Sequence, residues 1–131
     1  MSVVSEKGIV QISSPYSFEE SLQRIEGKIR EKGLTVFCII DHSGEAKKVG
    51  LQMRPTKVLI FGNAKSGTPV MVASPTAAID LPLKALLWED SGGKVWASYN
   101  SPEYLTERHR ISEGLVPNIS AVGPLLQAAL A

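Results

Sequence analysis

Three groupings of polar residues in this 131-residue chain have the types and spacing to do chemistry. The first is Gly62-Asn63-Ala64-Lys65-Ser66-Gly67-Thr68, which follows an apolar run. Two glycines at this spacing after a strand resemble a phosphate-cradling loop, but such a loop next requires Lys followed by Ser or Thr, so that the amine reaches the outer phosphates. Thr68 and Pro69 stand in those places, and Pro69 has no N–H to offer. Nucleoside triphosphate chemistry is therefore disfavoured. Free N–H groups around Ser66, Gly67 and Thr68 at a helix start would still hold a small anion, and the alternative is an ordinary capped turn.

The second grouping is Asp41-His42 with Glu45 close behind. On a helix, His42 and Glu45 share a face and could bind one metal or exchange a proton. Two ligands do not define a metal site, so none is assigned. The alternative is a capping aspartate beside a half-exposed histidine. The third grouping is cationic: Arg54 before Pro55, with Lys57 nearby, are candidate anion ligands, although isolated cations commonly sit in solvent. Cys38 lies inside an apolar run and is expected to pack in the core, where a thiol is a poor nucleophile. His109 falls in the charged run Glu107-Arg108-His109-Arg110, read as a solvated helix face. No Gly-x-Ser-x-Gly elbow is present. Trp88, Trp96, Tyr99 and Tyr104 could line a pocket or a subunit contact, though aromatic strand residues more often serve packing.

These residues need elements to position them. Gly8–Ser13 reads as a first strand. Ser17, three residues before Glu20, has capping-box spacing, and Phe18, Leu22, Ile25 and Ile29 form the apolar stripe of a helix that Gly33 ends. Leu34–Ile40 is a continuous apolar strand, expected in the middle of the sheet with both faces covered. Ser43–Val49 forms a short helix capped by Ser43 or Asp41. Thr56–Phe61 is the next strand, Asn63–Thr68 a polar loop, and Pro69 opens a short helix that Pro75 stops. Ile79–Glu89 and Lys94–Asn100 flank Asp90-Ser91-Gly92-Gly93 as a hairpin. A two-residue loop there groups Leu83, Ala85, Leu87 and Trp96 on one face; a three-residue loop shifts the pairing. Glu103–Arg110 and a stretch through Ile119, Val122, Leu126 and Leu130 complete the helices. The order predicts one α/β (α+β) domain over 1–131: a two-layer structure with a mixed sheet of about five strands and helices packed on it.

Composition narrows the partners. Lys plus Arg is 14 and Asp plus Glu 13, a net charge of +1, which gives no reason to expect nucleic acid or an anionic membrane. Hydrophobic residues are 44% and charged residues 21%, ordinary globular usage. Glu6 interrupts the N-terminal stretch, no apolar run is long enough to span a bilayer, and one cysteine forms no internal disulfide, so a cytoplasmic location is expected.

Asp41-His42, Met53-Arg54-Pro55-Thr56, Phe61-Gly62-Asn63 with Gly67-Thr68-Pro69, Leu81-Pro82-Leu83 and Tyr99-Asn100-Ser101-Pro102 together resemble domain-of-unknown-function family 302. The similarity runs over roughly residues 9–104, with 105–131 as a helical extension. It implies a compact two-layer α/β domain, mainly bacterial and archaeal, that tends to dimerise, and it implies no activity. The family's commoner Asp-Pro after Tyr-Asn is Ser101-Pro102 here, so no role of that aspartate carries over.

The expected function is binding of a small molecule or anion at strand ends, through Asp41, His42, Arg54, Asn63, Ser66, Gly67 and Thr68, without cofactor. That reading requires these side chains to converge. The alternatives are a homodimeric interaction module and an enzyme using His42 with Asp41 or Glu45 as an acid–base pair.

Overall fold

Two-residue alternation of buried and exposed positions builds a sheet here, and four-three spacing of apolar residues builds the helix that covers it. The computed structural model describes residues 2–5 and 7–131; Glu6, the charge noted near the N-terminus, lies outside the described residues. Strands β1 (Ser2–Val4), β2 (Ile9–Ser14), β3 (Thr35–Asp41), β4 (Thr56–Gly62), β5 (Leu83–Glu89) and β6 (Val95–Asn100) form one sheet in the order β1-β2-β6-β5-β4-β3. Helices α1 (Phe18–Glu31), α2 (His42–Lys48), α3 (Ala64–Ala73), α4 (Pro102–His109) and α5 (Val122–Ala129) are joined by two 3-10 segments, Pro75–Ile79 and Glu113–Ile119.

The α+β class and the single sheet with packed helices are as expected, but the sheet is antiparallel at every pairing rather than mixed. The β2-α1-β3 unit runs both its strands in the same direction, yet they never touch. β6, β5 and β4 stand between them and alternate in sense. A second correction concerns β3, which is an edge strand rather than a central one. Phe37, Cys38 and Ile40 are exposed, so the expected core role of Cys38 is overturned. A continuous apolar run does not say which faces are covered.

α1 forms as its sequence requires. Ser17 Oγ accepts the Glu20 N–H at 3.1 Å, and the chain leaves the helix through Gly33. Its buried Phe18, Leu22, Ile25 and Ile29 meet Val122, Leu125, Leu126 and Ala129 of α5 over the inner sheet residues Ile12, Leu59, Phe61, Ala85, Leu87 and Ala97. A smaller cluster, Val70, Ala77, Leu105, Ile111 and Ile119, ties α3, α4 and the 3-10 segments together.

The hairpin uses the longer of the two loops considered. Asp90 N–H donates to the Lys94 carbonyl at 2.8 Å, Gly93 N–H to the Asp90 carbonyl at 2.9 Å, and Gly93 takes φ +84. That left-handed residue is the bulge that follows a type I turn. The register then pairs Glu89 with Val95 and Trp88 with Trp96, so Trp96 joins Trp88 on the outer face and Val95 and Ala97 turn inward. The two-residue-loop grouping of Trp96 with Leu83, Ala85 and Leu87 is thereby corrected. The indole rings stack with centroids 6.4 Å apart.

Asp90 holds this turn in a pH-dependent way. Its Oδ2 accepts the Trp96 indole N–H at 3.0 Å, and its Oδ1 accepts the Lys94 and Gly92 N–H groups at 2.9 Å. The Trp96 bond first, then the Lys94 bond, holds its carboxyl below the ordinary 3.8. A carboxyl with a depressed folded value stabilises the fold above its unfolded value, and that contribution disappears as the pH falls from 3.8 through the folded value. Acid titration followed by Trp96 fluorescence is expected to show a step in this window that Asp90→Asn removes. An unchanged step in Asp90→Asn would refute the assignment.

Candidate cavity at the end of the central strands

β4 delivers the chain to Gly62, where the sheet stops and a cavity of about 250 Å³ opens. Glycine leaves room there: a Cβ on Gly62 would lie 3.7 Å from Phe37 Cε2 and 3.8 Å from Pro82 Cβ. A bulge between Val36 and Cys38 breaks the β3–β4 register, and Phe37 at that bulge lines the cavity. Leu34, Met71, Leu81, Pro82, Leu83, Pro117 and Ala121 supply further carbon surface. Pro82 follows a cis peptide bond from Leu81. Lys84 Nζ donates to the carbonyls of Asp80 at 2.8 Å and Pro82 at 3.0 Å, and burial lowers the basicity of this amine. Asn63, Ser66, Thr68 and Asn118 are the polar side chains of the lining; no charged residue belongs to it.

The Asn63–Thr68 stretch is helix rather than loop. α3 begins at Ala64, not Pro69, and Asn63 is its N-cap. Asn63 Oδ1 accepts the Lys65 N–H at 2.8 Å, and the Asn63 carbonyl accepts the N–H groups of Ser66 at 3.0 Å and Gly67 at 2.9 Å. The free Ser66 and Gly67 donors expected for an anion are therefore already engaged. Pro69 sits inside the helix and leaves the Lys65 carbonyl without its usual donor. Asn118 Nδ2 donates to the Ser66 carbonyl at 3.0 Å and ties the second 3-10 segment to α3.

The seven expected site residues fall into two groups. Asn63, Ser66, Gly67 and Thr68 line the cavity. Asp41, His42 and Arg54 lie at the far end of the β3–β4 pair, since Thr35 pairs with Gly62 while Asp41 pairs with Lys57. The requirement that all seven converge is not met. Asp41 caps α2, accepting from Gly44 N–H at 2.9 Å and Ser43 Oγ at 2.7 Å, and these bonds hold its carboxyl below the usual range. Glu45 pairs with Lys48 at 2.9 Å, and His42 is exposed. The acid–base pair imagined there does not form. Arg54 donates to Glu89 Oε1 at 2.9 Å and to the Ser91 carbonyl at 3.0 Å, fastening the hairpin.

Sequence reasoning missed Phe37, Met71, Leu81, Leu83, Asn118 and Ala121, which meet only through tertiary folding. It also placed His109 in solvent, whereas the structure buries it against Asp80 and Thr76. Among the described residues, no group of three or more His, Cys, Asp or Glu side chains could hold a metal, and no helix is long and apolar enough to cross a membrane.

An antiparallel sheet covered on one face by helices, with an uncharged cavity at the end of β4, defines a small two-layer α+β domain. The family model of Domain of unknown function DUF302 matches residues 10–131, and the chain belongs to that family. The crystal structure of an uncharacterised conserved DUF302 protein from Bacillus stearothermophilus has the same fold, with a TM-score of 0.78, 17% identity, and coverage of 94% of this chain and 95% of that one. Among curated proteins the chain is similar to Fluoride-specific ion channel FluC 1 of Brucella suis biovar 1 (strain 1330), at 40% identity over 111 residues, 85% of this chain and 44% of that one. Fluoride-specific ion channel FluC 2 of Brucella melitensis biotype 1 is 40% identical over 111 residues, 85% of this chain and 41% of that one. The chain spans less than half the length of these curated relatives.

Proposed function

We propose that this domain binds a small uncharged organic molecule, largely apolar with one or two hydrogen-bonding groups, in the cavity between Gly62, α3 and Leu81-Pro82-Leu83. The observation that carries the reading is the cavity itself: about 250 Å³, walled by carbon, with four neutral polar side chains at Asn63, Ser66, Thr68 and Asn118. Sites of this make-up take apolar ligands and orient them through a few polar contacts. The engaged N–H groups of Lys65, Ser66 and Gly67 and the lack of a lining charge favour a neutral ligand over an anion. Fluoride is therefore not the ligand proposed, and the channel names belong to chains of which this domain covers less than half. A cytoplasmic location belongs to the same proposal, supported by a single cysteine and no disulfide.

The test uses N-phenyl-1-naphthylamine, a neutral apolar dye that brightens on leaving water. Saturable binding is expected, weakened at least tenfold by Gly67→Leu, which places side-chain bulk in the cavity, and unchanged by Ile40→Ser on the outer sheet face. Binding indifferent to Gly67→Leu but lost in Ile40→Ser would overturn the assignment. The smaller change Gly67→Ala has room, since its Cβ would meet only Met71 Cε at 3.9 Å. It is expected to raise stability by about 0.5–1 kcal/mol, from helix propensity, while reducing dye uptake; urea denaturation checks the first effect.

The outer sheet face favours a second reading, a homodimer. It carries exposed Ile9, Cys38 and Ile40 beside half-buried Val58, Ile60, Leu86, Trp88 and Trp96. Apolar patches of this kind support association between copies. Sedimentation is expected to give a dimer that Ile40→Lys dissociates; a monomer at high concentration would remove this reading.

A further inference from the structure

We propose that Thr76 is a nucleophile activated by His109 and Asp80, able to accept the acyl group of a small activated ester at a site outside the cavity. Thr76 is exposed, in the 3-10 segment that follows α3. Its Oγ1 lies 2.9 Å from His109 Nδ1, and His109 Nε2 lies 2.5 Å from Asp80 Oδ2. The histidine side chain is 4% exposed and the aspartate 16%, so imidazole and carboxylate are held out of bulk water, while Thr76 is an exposed residue. Arg108 Nη1 donates to both Asp80 oxygens, at 3.2 and 3.1 Å, and holds the carboxylate in place against the ring.

The ring's tautomer follows from these partners. An ionised carboxylate only accepts, so in the neutral ring Nε2 carries the hydrogen and donates it to Asp80. Nδ1 then presents its lone pair to the Thr76 hydroxyl. Nucleophile, base and orienting carboxylate thus stand in the relation that activates hydroxyls in acyl transfer, with the two ring nitrogens exchanged relative to the best-known serine case. In the step proposed, Thr76 Oγ1 bonds to the acyl carbon and its proton passes to His109 Nδ1. The bond from that carbon to the leaving oxygen breaks, and the leaving group takes the proton from Nδ1. Water then repeats the sequence on the acyl-threonine, releasing the acid and restoring the hydroxyl.

The test uses p-nitrophenyl butyrate and the intact protein. Nitrophenolate release is expected as a burst of one equivalent per chain ahead of slower turnover by water, and protein acid-quenched during the burst should carry one butyryl group, located on Thr76 by peptide fragmentation. Thr76→Ser should retain the reaction, while Thr76→Val and His109→Gln should each slow it at least tenfold. Thr76→Val is nearly isosteric and removes one hydroxyl and its bond to His109, so its circular dichroism and its N-phenyl-1-naphthylamine binding should match the parent. Butyryl groups found on lysines or absent, or release by Thr76→Val at the parent rate, would overturn the proposal. The Thr76–His109–Asp80 chain would then serve only to fasten the 3-10 segment to α4, visible as a lower melting temperature in Thr76→Val without any acyl-threonine in the parent.

Discussion

Gly8→Ala is expected to cost more than about 3 kcal/mol, from left-handed backbone strain together with a clash in a buried position. Gly8 is buried and takes φ +78. A Cβ built there would lie 2.4 Å from both Cβ and Cγ of Tyr104. Those atoms are the base of the ring side chain and cannot swing away as a flexible tip could. The Gly8 carbonyl also accepts the Ser101 N–H at 2.7 Å, which pins the turn before β2 to the start of α4. Urea unfolding of Gly8→Ala should show the loss, and Gly8→Ala with Tyr104→Gly, which removes the opposing Cβ and Cγ together, should recover the steric part relative to Tyr104→Gly alone but not the backbone part. A change below 1 kcal/mol would mean that the turn relaxes freely.

The second large effect is expected at Phe61, fully buried on β4 among the residues that α1 covers. Phe61→Ala should destabilise by about 3–5 kcal/mol, the range for emptying an aromatic site in a packed core. Phe61 is cross-strand partner to Val36 and Leu83, and Leu83 also lines the cavity. Phe61 itself does not line the cavity, so dye affinity should change far less than stability. A urea midpoint shift with the slope preserved, measured beside a dye titration, separates the two quantities. Equal losses in both would show that core and cavity form one space.

The parts of this fold visible in the sequence are those decided locally. Ser17 and Gly33 bracket α1 because capping and chain exit are properties of a few adjacent residues. Asp41 is one of the two caps the sequence offers, with Ser43, and α2 starts beside it for the same local reason. The hairpin's existence was equally legible, but not its parity: only the hydrogen bonds of Asp90, Gly93 and Lys94 decide which face receives Trp96. The Leu34–Ile40 run identified β3 without revealing that it lies at an edge, since burial depends on what packs above it. For α3, the Asn63 cap outweighed the signal of Pro69 at the first helical position.

The candidate site divides along the same line. Asn63, Ser66, Gly67 and Thr68 are contiguous and were recognised together. Phe37, Leu81 and Asn118 come from three distant parts of the chain, and none has a chemical type that marks it as a lining residue. His109 shows the converse. Its charged neighbours in sequence pointed to solvent, while the helix rotates its ring inward onto Asp80. Binding through Asp41, His42 and Arg54 depended on which ends of two antiparallel strands face the same way, which no local pattern records.

Strand order also bears on how the chain is made. β2 finds its partner in β6, closing Ile9 onto Asn100, so one side of the sheet waits for the last strand to be synthesised. A ribosome that has released β2, α1, β3, β4 and β5 has exposed the apolar stripe of α1 without the strand that completes the layer beneath it. Pairings this distant along the chain are entropically late events. Nascent chains halted before residue 95 should therefore remain protease-sensitive through α1, and protection should arrive abruptly once β6 and α5 have left the exit tunnel.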